Sequence, residues 1–247
     1  MLIALLLILA ILPGLMVCYF IFQADKYEKE DKKDLAIAFG LGALSTLPAW
    51  QLESWMHQLG LDETTHIGKT LFFSFIVVGL GEELFKLAFL LPFAFWKRFF
   101  NEPMDAIVYA VMVAMGFATV ENLLYAGRMD VPTMVVRAFT AVPAHAAFAV
   151  ITGYFIGFSY LRQEVRWQLI ARGLAIAAVL HGTYDFFILI ESYEWLGGLA
   201  LVALALSIYY SRRLIQLHQE GSPFKPGGKA ASHPENTSTP ASTEPIP

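Results

Sequence analysis

The chain has one cysteine, Cys18, in 247 residues. A lone thiol excludes an intrachain disulfide and any cysteine-built metal cluster. Charge is scarce as well. Asp, Glu, Lys and Arg make up 15% of the chain and the formal net charge is -4, so no nucleic-acid partner is expected. The zinc-protease pattern H-E-x-x-H is missing. No serine or cysteine is placed beside a base that would make it a nucleophile: Cys18 lies in the first apolar segment, and Ser74 is two turns from Glu82. Neither an internal repeat nor the strand alternation of a membrane barrel is visible. The N-terminal run "MLIALLLILAILPGLMVCYFIF" has no basic flank, and its apolar stretch exceeds the roughly 7–15 residues of a signal peptide. Val17, not a small residue, precedes Cys18, so this run is expected to be a retained membrane helix.

What the chain has in quantity is apolar sequence. Hydrophobic residues make up 57%, against about 45–50% in soluble domains. A membrane-spanning helix needs about 20 apolar residues. That rule predicts an all-α integral membrane protein of the cell membrane, a multi-pass bundle of about seven transmembrane helices near 2–22, 35–52, 68–95, 105–126, 134–160, 168–190 and 195–211. Thirteen of the 17 Lys and Arg residues fall in alternate connections and three (Lys69, Arg128 and Arg137) in the opposite ones. By the positive-inside rule the N-terminus is outside, the C-terminus is cytoplasmic and the loop at 53–67 is outside. The division expected is a membrane domain over 1–218 and a disordered cytoplasmic tail over 219–247, rich in Pro, Ser, Thr and Gly.

Several ionisable residues fall deep inside the spans, among them Glu82, Glu83, Lys86, Glu121, His145, His181 and Asp185. Each charge costs about 2.5–3.5 kcal/mol at mid-helix on insertion scales, so such groups face a protein interior or a wet cavity. At about 1.5 Å per residue, Glu82, Glu121, His145 and His181 lie roughly 22–25 Å from the cytoplasmic edge of their helices. Four helices thus bring polar groups to one level, at or just beyond the bilayer midplane. Glu82 and Lys86 share a helix face, as do His181 and Asp185, and Glu83 is rotated by about 100°. A carboxylate one turn from an imidazole can fix its tautomer.

Plainer readings stand beside these. Glu82 with Lys86 can be a buried pair that sets helix register. His145 can be a hydrogen-bonded core histidine, and Asn122 can be interhelical glue. His57, His66, His218 and His233 are expected in solvent. Tyr109, Tyr125 and Tyr184 are expected as core or interface aromatics, and "GYFIG" at 153–157 as a packing face.

Three motifs in order, "EELFK" at 82–86, "FATVEN" at 117–122 and "HGTYD" at 181–185, resemble those of the PrsW family of intramembrane proteases. "PAHAAFAVITGYFIG" resembles that family's histidine-containing segment. The family is distantly similar to the type II CAAX prenyl endopeptidases, which usually carry an arginine-containing first motif and a histidine in the second, where this chain has Lys86 and Glu121. The resemblance implies an intramembrane protease of the stress response. It makes the first (site-1) cut in a membrane-anchored anti-sigma factor on its extracytoplasmic side. It further implies essential roles for Glu82, Glu83 and His181, with Lys86, Glu121, Asn122, His145 and Asp185 in support. The residues themselves leave two chemistries open. One is a water activated by Glu82 or Glu83, with His181 on the oxyanion or leaving amine. The other is a divalent metal such as zinc, held by ligands drawn from Glu82, Glu83, Glu121, His145, His181 and Asp185. Carboxylates and histidines on several helices also build proton relays. An ion-coupled transporter is therefore the alternative reading, and a noncatalytic scaffold or immunity protein a third.

Overall fold

The computed structural model describes residues 1–62, 64–96 and 101–226. These fold as helices α1 (Leu2–Ala24), α2 (Lys32–Gln58), α3 (Ile67–Phe72), a π-helical segment (Phe73–Leu80), α4 (Gly81–Trp96), α5 (Pro103–Ala126), α6 (Val131–Phe139), α7 (Ala141–Leu161), α8 (Arg166–Leu189) and α9 (Gly197–Glu220). Among the described residues there is no strand. In hydrocarbon every backbone amide must be paired within the chain, which helices do.

Six segments are long and apolar enough to cross a membrane: Leu2–Ala24, Lys32–Gln58, Pro103–Ala126, Val131–Leu161, Gln163–Leu189 and Gly197–Glu220. The seventh expected span, 68–95, is helical throughout. It is divided by the π segment into pieces of 6, 8 and 16 residues. The span expected at 134–160 is two helices, broken at Thr140, where φ is -122° and ψ -63°. The outer loop expected from residue 53 starts later, because α2 runs on to Gln58. Polar side chains close the helix ends that leave lipid: Asp31 Oδ1 accepts from Lys33 N (2.7 Å) and Asp130 Oδ1 from Thr133 N (3.0 Å).

α5 is the axis of the bundle. It is buried along most of its length and packs against α1, α2, α4 and α7. The crossing with α2 is backbone to backbone. A Cβ on Gly42 would fall 1.8 Å from Val113 O, and one on Gly116 would fall 1.9 Å from Phe39 O. The "GYFIG" face does pack: Gly153 abuts Ile107 and Gly157 abuts Pro103. α1 and α9 lie at the rim, with many large apolar side chains exposed.

Two expectations at the α9 end are corrected. His218 is not solvated; it is 5% exposed, stacks on Tyr154 and hydrogen-bonds Tyr154 O (3.0 Å). The tail does not begin at Gln219. α9 continues to Glu220, and Ser222 is buried against Glu102. Residues 227–247, including His233, lie outside the described residues. His66 is also more than a solvated loop histidine, since its ring caps α3 by accepting from Lys69 N.

Candidate active site

The π segment ends at Leu80 and α4 begins at Gly81, so Glu82 and Glu83 occupy the first turn of α4. π segments are rare and often mark functional sites. This one lies against α8 at van der Waals contact of the two backbones. A Cβ on Gly79 would meet Ala178 O at 2.7 Å and Gly182 N at 2.8 Å, and one on Gly182 would meet Phe75 Cα at 2.8 Å. With nothing but hydrogen at these positions, His181 comes within hydrogen-bond distance of Glu83 and within 3.8 Å of Glu82.

Glu82, Glu83, Lys86, His145 and His181 are each at most 5% exposed. Lys86 Nζ is their hub. It donates to Glu83 Oε1 (2.8 Å), Glu82 Oε2 (3.2 Å) and His145 Nδ1 (3.0 Å), and it lies 4.2 Å from the centre of the Phe117 ring. With Nδ1 of His145 accepting, its Nε2–H donates to Glu121 Oε2 (3.0 Å). His181 Nδ1–H donates to Glu83 Oε1 (3.0 Å) and its ring stacks on Phe148. On its other side, Nε2 faces Asp185 Oδ2 at 3.0 Å and Glu82 Oε2 at 3.8 Å.

A cavity of about 280 Å³ opens among these helices. Glu82, Glu121, His145, His181 and Asp185 line it, with an apolar wall that includes Phe73, Val78 and Phe148. Glu83 is not on that wall; it faces inward with Lys86. Asn122 is buried and accepts from Arg137 Nε (2.8 Å). The two glutamates of one motif therefore have different surroundings.

Three residues of the site lie outside the motifs. Arg137, counted among the outer loop charges in the sequence, ion-pairs with Glu121 (2.9 Å) and lies 3.9 Å from the Tyr125 ring centre. Glu53, one residue past the expected end of the second span, stands on the cavity wall within electrostatic reach of Glu82, Glu121 and Asp185. Tyr125, expected as a core or interface aromatic, also lines the cavity; so does Tyr184, which lies within the third motif. A signal for Glu53 was available in the sequence: apolar residues continue past it in "WQLESWMHQL".

The charges do not cancel. Among the described residues the site gathers five carboxylates (Glu53, Glu82, Glu83, Glu121 and Asp185) and two fixed cations, Lys86 and Arg137. Two carboxylate oxygens face His181 Nε2, and Asp185 Oδ2 is buried with no hydrogen-bond partner. Oxygens so placed need a positive centre between them, either a proton or a metal ion. Glu82, His145 and His181 each offer one ligand atom, all within 4.8 Å of one another. Three nitrogen and oxygen ligands with a further position open are what a hydrolytic zinc site uses. The residues fit such an ion, provided His145 Nδ1 gives up its bond from Lys86.

A model of the PrsW-protease family, described as "PrsW family intramembrane metalloprotease", matches residues 30–211. The chain is 32% identical over 194 residues to Protease PrsW of Clostridioides difficile, covering 76% of this chain and 80% of that protein. It is 32% identical over 181 residues to Protease PrsW of Bacillus subtilis, covering 72% and 80%. No solved structure matches.

Proposed function

The chain belongs to the PrsW family of intramembrane metalloproteases, and on that premise we propose that it cuts a single-span membrane protein near its extracytoplasmic side. The substrate class we infer is a membrane-anchored anti-sigma factor, cut in the first step of a stress response. The observation that carries the reading is the meeting of Glu82, His145 and His181 on one cavity wall, deep in a multi-pass membrane bundle.

The roles we assign follow from what each side chain touches. Glu83 holds His181 by Nδ1 and turns Nε2 towards the cavity. Glu121, braced by Arg137, holds His145 by Nε2 and turns Nδ1 inward. Such carboxylate–imidazole pairs fix tautomer and ring angle. Glu82, His145 and His181 would hold a divalent metal such as zinc, which when bound lowers the pKa of water and polarises a carbonyl. Asp185, on the cavity wall with Oδ2 3.0 Å from His181 Nε2, is placed to take a proton from water and to return it to the leaving amine. Lys86 offsets Glu83 and keeps that carboxylate an acceptor for His181.

The test is cleavage of a purified single-span substrate by the full chain in lipid vesicles. One cut near the outer end of the substrate span is expected, with loss in Glu82→Gln and in His181→Ala. Wild-type rates in both variants would sink the assignment. Proton-driven ion flux without cleavage would favour a transporter.

A further inference from the structure

A second group of acids lies at the other end of α5. Asp105 is 16 residues from Glu121, roughly 24 Å along the helix. This end belongs to the face that the loop charges assign to the cytoplasm. The connection between α1 and α2 brings Asp25, Glu28 and Glu30 to it, and the start of α5 brings Glu102 and Asp105. One carboxylate oxygen each from Glu28, Glu30 and Asp105 lies within 4.8 Å of the other two.

The outer oxygens of Asp105, Glu30 and Glu102 are already engaged. Asp105 Oδ2 accepts from the backbone N–H groups of Asn101 and Glu102, both at 2.9 Å. Glu30 Oε2 accepts from the Tyr109 hydroxyl, and Glu102 Oε2 from Ser222. The inner oxygens are not. Asp105 Oδ1, Glu30 Oε1 and Glu28 Oε2 are buried and receive no donor from outside the group, and neither does either oxygen of Asp25; these oxygens of Asp105 and Glu30 have only each other within hydrogen-bond reach. Asp105 and Asp25 are 0% exposed. Among the described residues, no Lys or Arg forms an ion pair with any of these acids. Lys29, the cation that reaches Asp25, donates its proton to Phe22 O and lies over the Phe22 ring. Burial, with the charge of Glu102, pushes the Asp25 carboxyl up to about 7.

Glu30 and Asp105 each have one oxygen tied down by a protein donor while the other converges with Glu28 Oε2 and receives no donor from outside the group, the arrangement of first ligands braced by a second shell. The donors are all oxygen. No cysteine is near and His218 is bonded to Tyr154, so the set suits a hard cation and not zinc or copper. We propose that Glu28, Glu30 and Asp105 form a second cation site, for Mg²⁺ or Ca²⁺, which clasps the α1–α2 connection to the start of α5. Asp25 and Glu102 add negative charge around it. Through Ser222 and Glu102 the clasp extends to the end of α9, so three parts of the chain are secured by one ion.

Terbium is the probe, a luminescent hard cation that tyrosine sensitises; Tyr109 is bonded to Glu30 and serves as the antenna. The full chain in detergent is stripped with EDTA, exchanged into metal-free buffer and titrated with Tb³⁺, followed by Ca²⁺ or Mg²⁺ in competition. The expected result is saturable luminescence displaced by either ion, weakened at least roughly 10-fold in Glu28→Gln and Asp105→Asn and unchanged in Glu82→Gln. Ca²⁺ or Mg²⁺ should also raise the melting temperature of wild type but not of Glu28→Gln. Glu28 lies in a half-buried connection, so its variant tests the site even where Asp105→Asn fails to fold. Absence of saturable binding, or equal binding in wild type, Glu28→Gln and Glu30→Gln, overturns the proposal. So does a melting temperature that responds to pH and not to the cations, because the acids would then be holding protons.

Discussion

Glu82 and Glu83 adjoin in the sequence and part company in the fold. Glu82 faces the cavity; Glu83 faces Lys86 and the far nitrogen of His181. Glu82→Gln should therefore cut the cleavage rate by about 10²–10⁴-fold, the usual worth of an acid–base or ligand group, while the melting temperature stays near wild type. Glu83→Gln should lose both activity and stability, by roughly 3 kcal/mol, because it leaves Lys86 buried with less charge to offset it. Cleavage and thermal unfolding measured on the same preparations separate the two. Arg137→Gln is expected to resemble Glu83→Gln, since it strands Glu121 and half of the Asn122 amide. The motifs "EELFK", "FATVEN" and "HGTYD" made most of these side chains legible in the sequence, because a charge in an apolar run has few explanations. Arg137 was not legible in this way. It stands in an ordinary-looking loop charge pattern, and its partner is 16 residues away on another helix.

The helix that carries the first motif is the least regular element of the bundle. Hydropathy predicted a single span at 68–95 and said nothing of the π segment, because hydropathy counts apolar residues and is blind to which carbonyl each amide uses. The same blindness merged α6 with α7 and stopped α2 at residue 52. The π segment and α8 touch through Gly79 and Gly182, and the atoms that a new methyl would strike are backbone. Gly79→Ala should thus push α8 outward and separate His181 from Glu83, costing about 1–3 kcal/mol as overpacking and most of the activity. Gly40→Ala, where a Cβ has no atom within 4 Å, is the control and should melt and cleave like wild type. An equal effect of the two alanines would show that the contact does not position the site.

For the molecule as a whole, the charge asymmetry of the connections predicts that a reporter fused after residue 226 stays cytoplasmic and one inserted at residues 59–62 is exported. The reverse labelling would move the proposed cut to the other face. Chelation gives a second test at this scale. 1,10-Phenanthroline should abolish cleavage, and zinc added back should restore it in wild type but not in His181→Ala. Metal analysis of the purified chain should find about one zinc, lost in the same variant.

The cavity at the site measures about 280 Å³. In an α-helix, about 10–12 Å across with its side chains, each carbonyl accepts the amide four residues on. A carbonyl engaged in this way is closed to attack, so the scissile peptide bond must first be drawn out as a short extended strand, and the energy of that uncoiling becomes the selector. The sequence preference of this enzyme should then be written in the substrate's propensity to unwind and not in a side-chain code around the cut. Glycine or a helix-destabilising pair placed one turn from the scissile bond should speed cleavage, and a run of leucines there should slow it, with the same catalytic residues throughout. A panel of spans that differ only in this turn, cleaved at equal rates, would show that uncoiling is not what the enzyme selects.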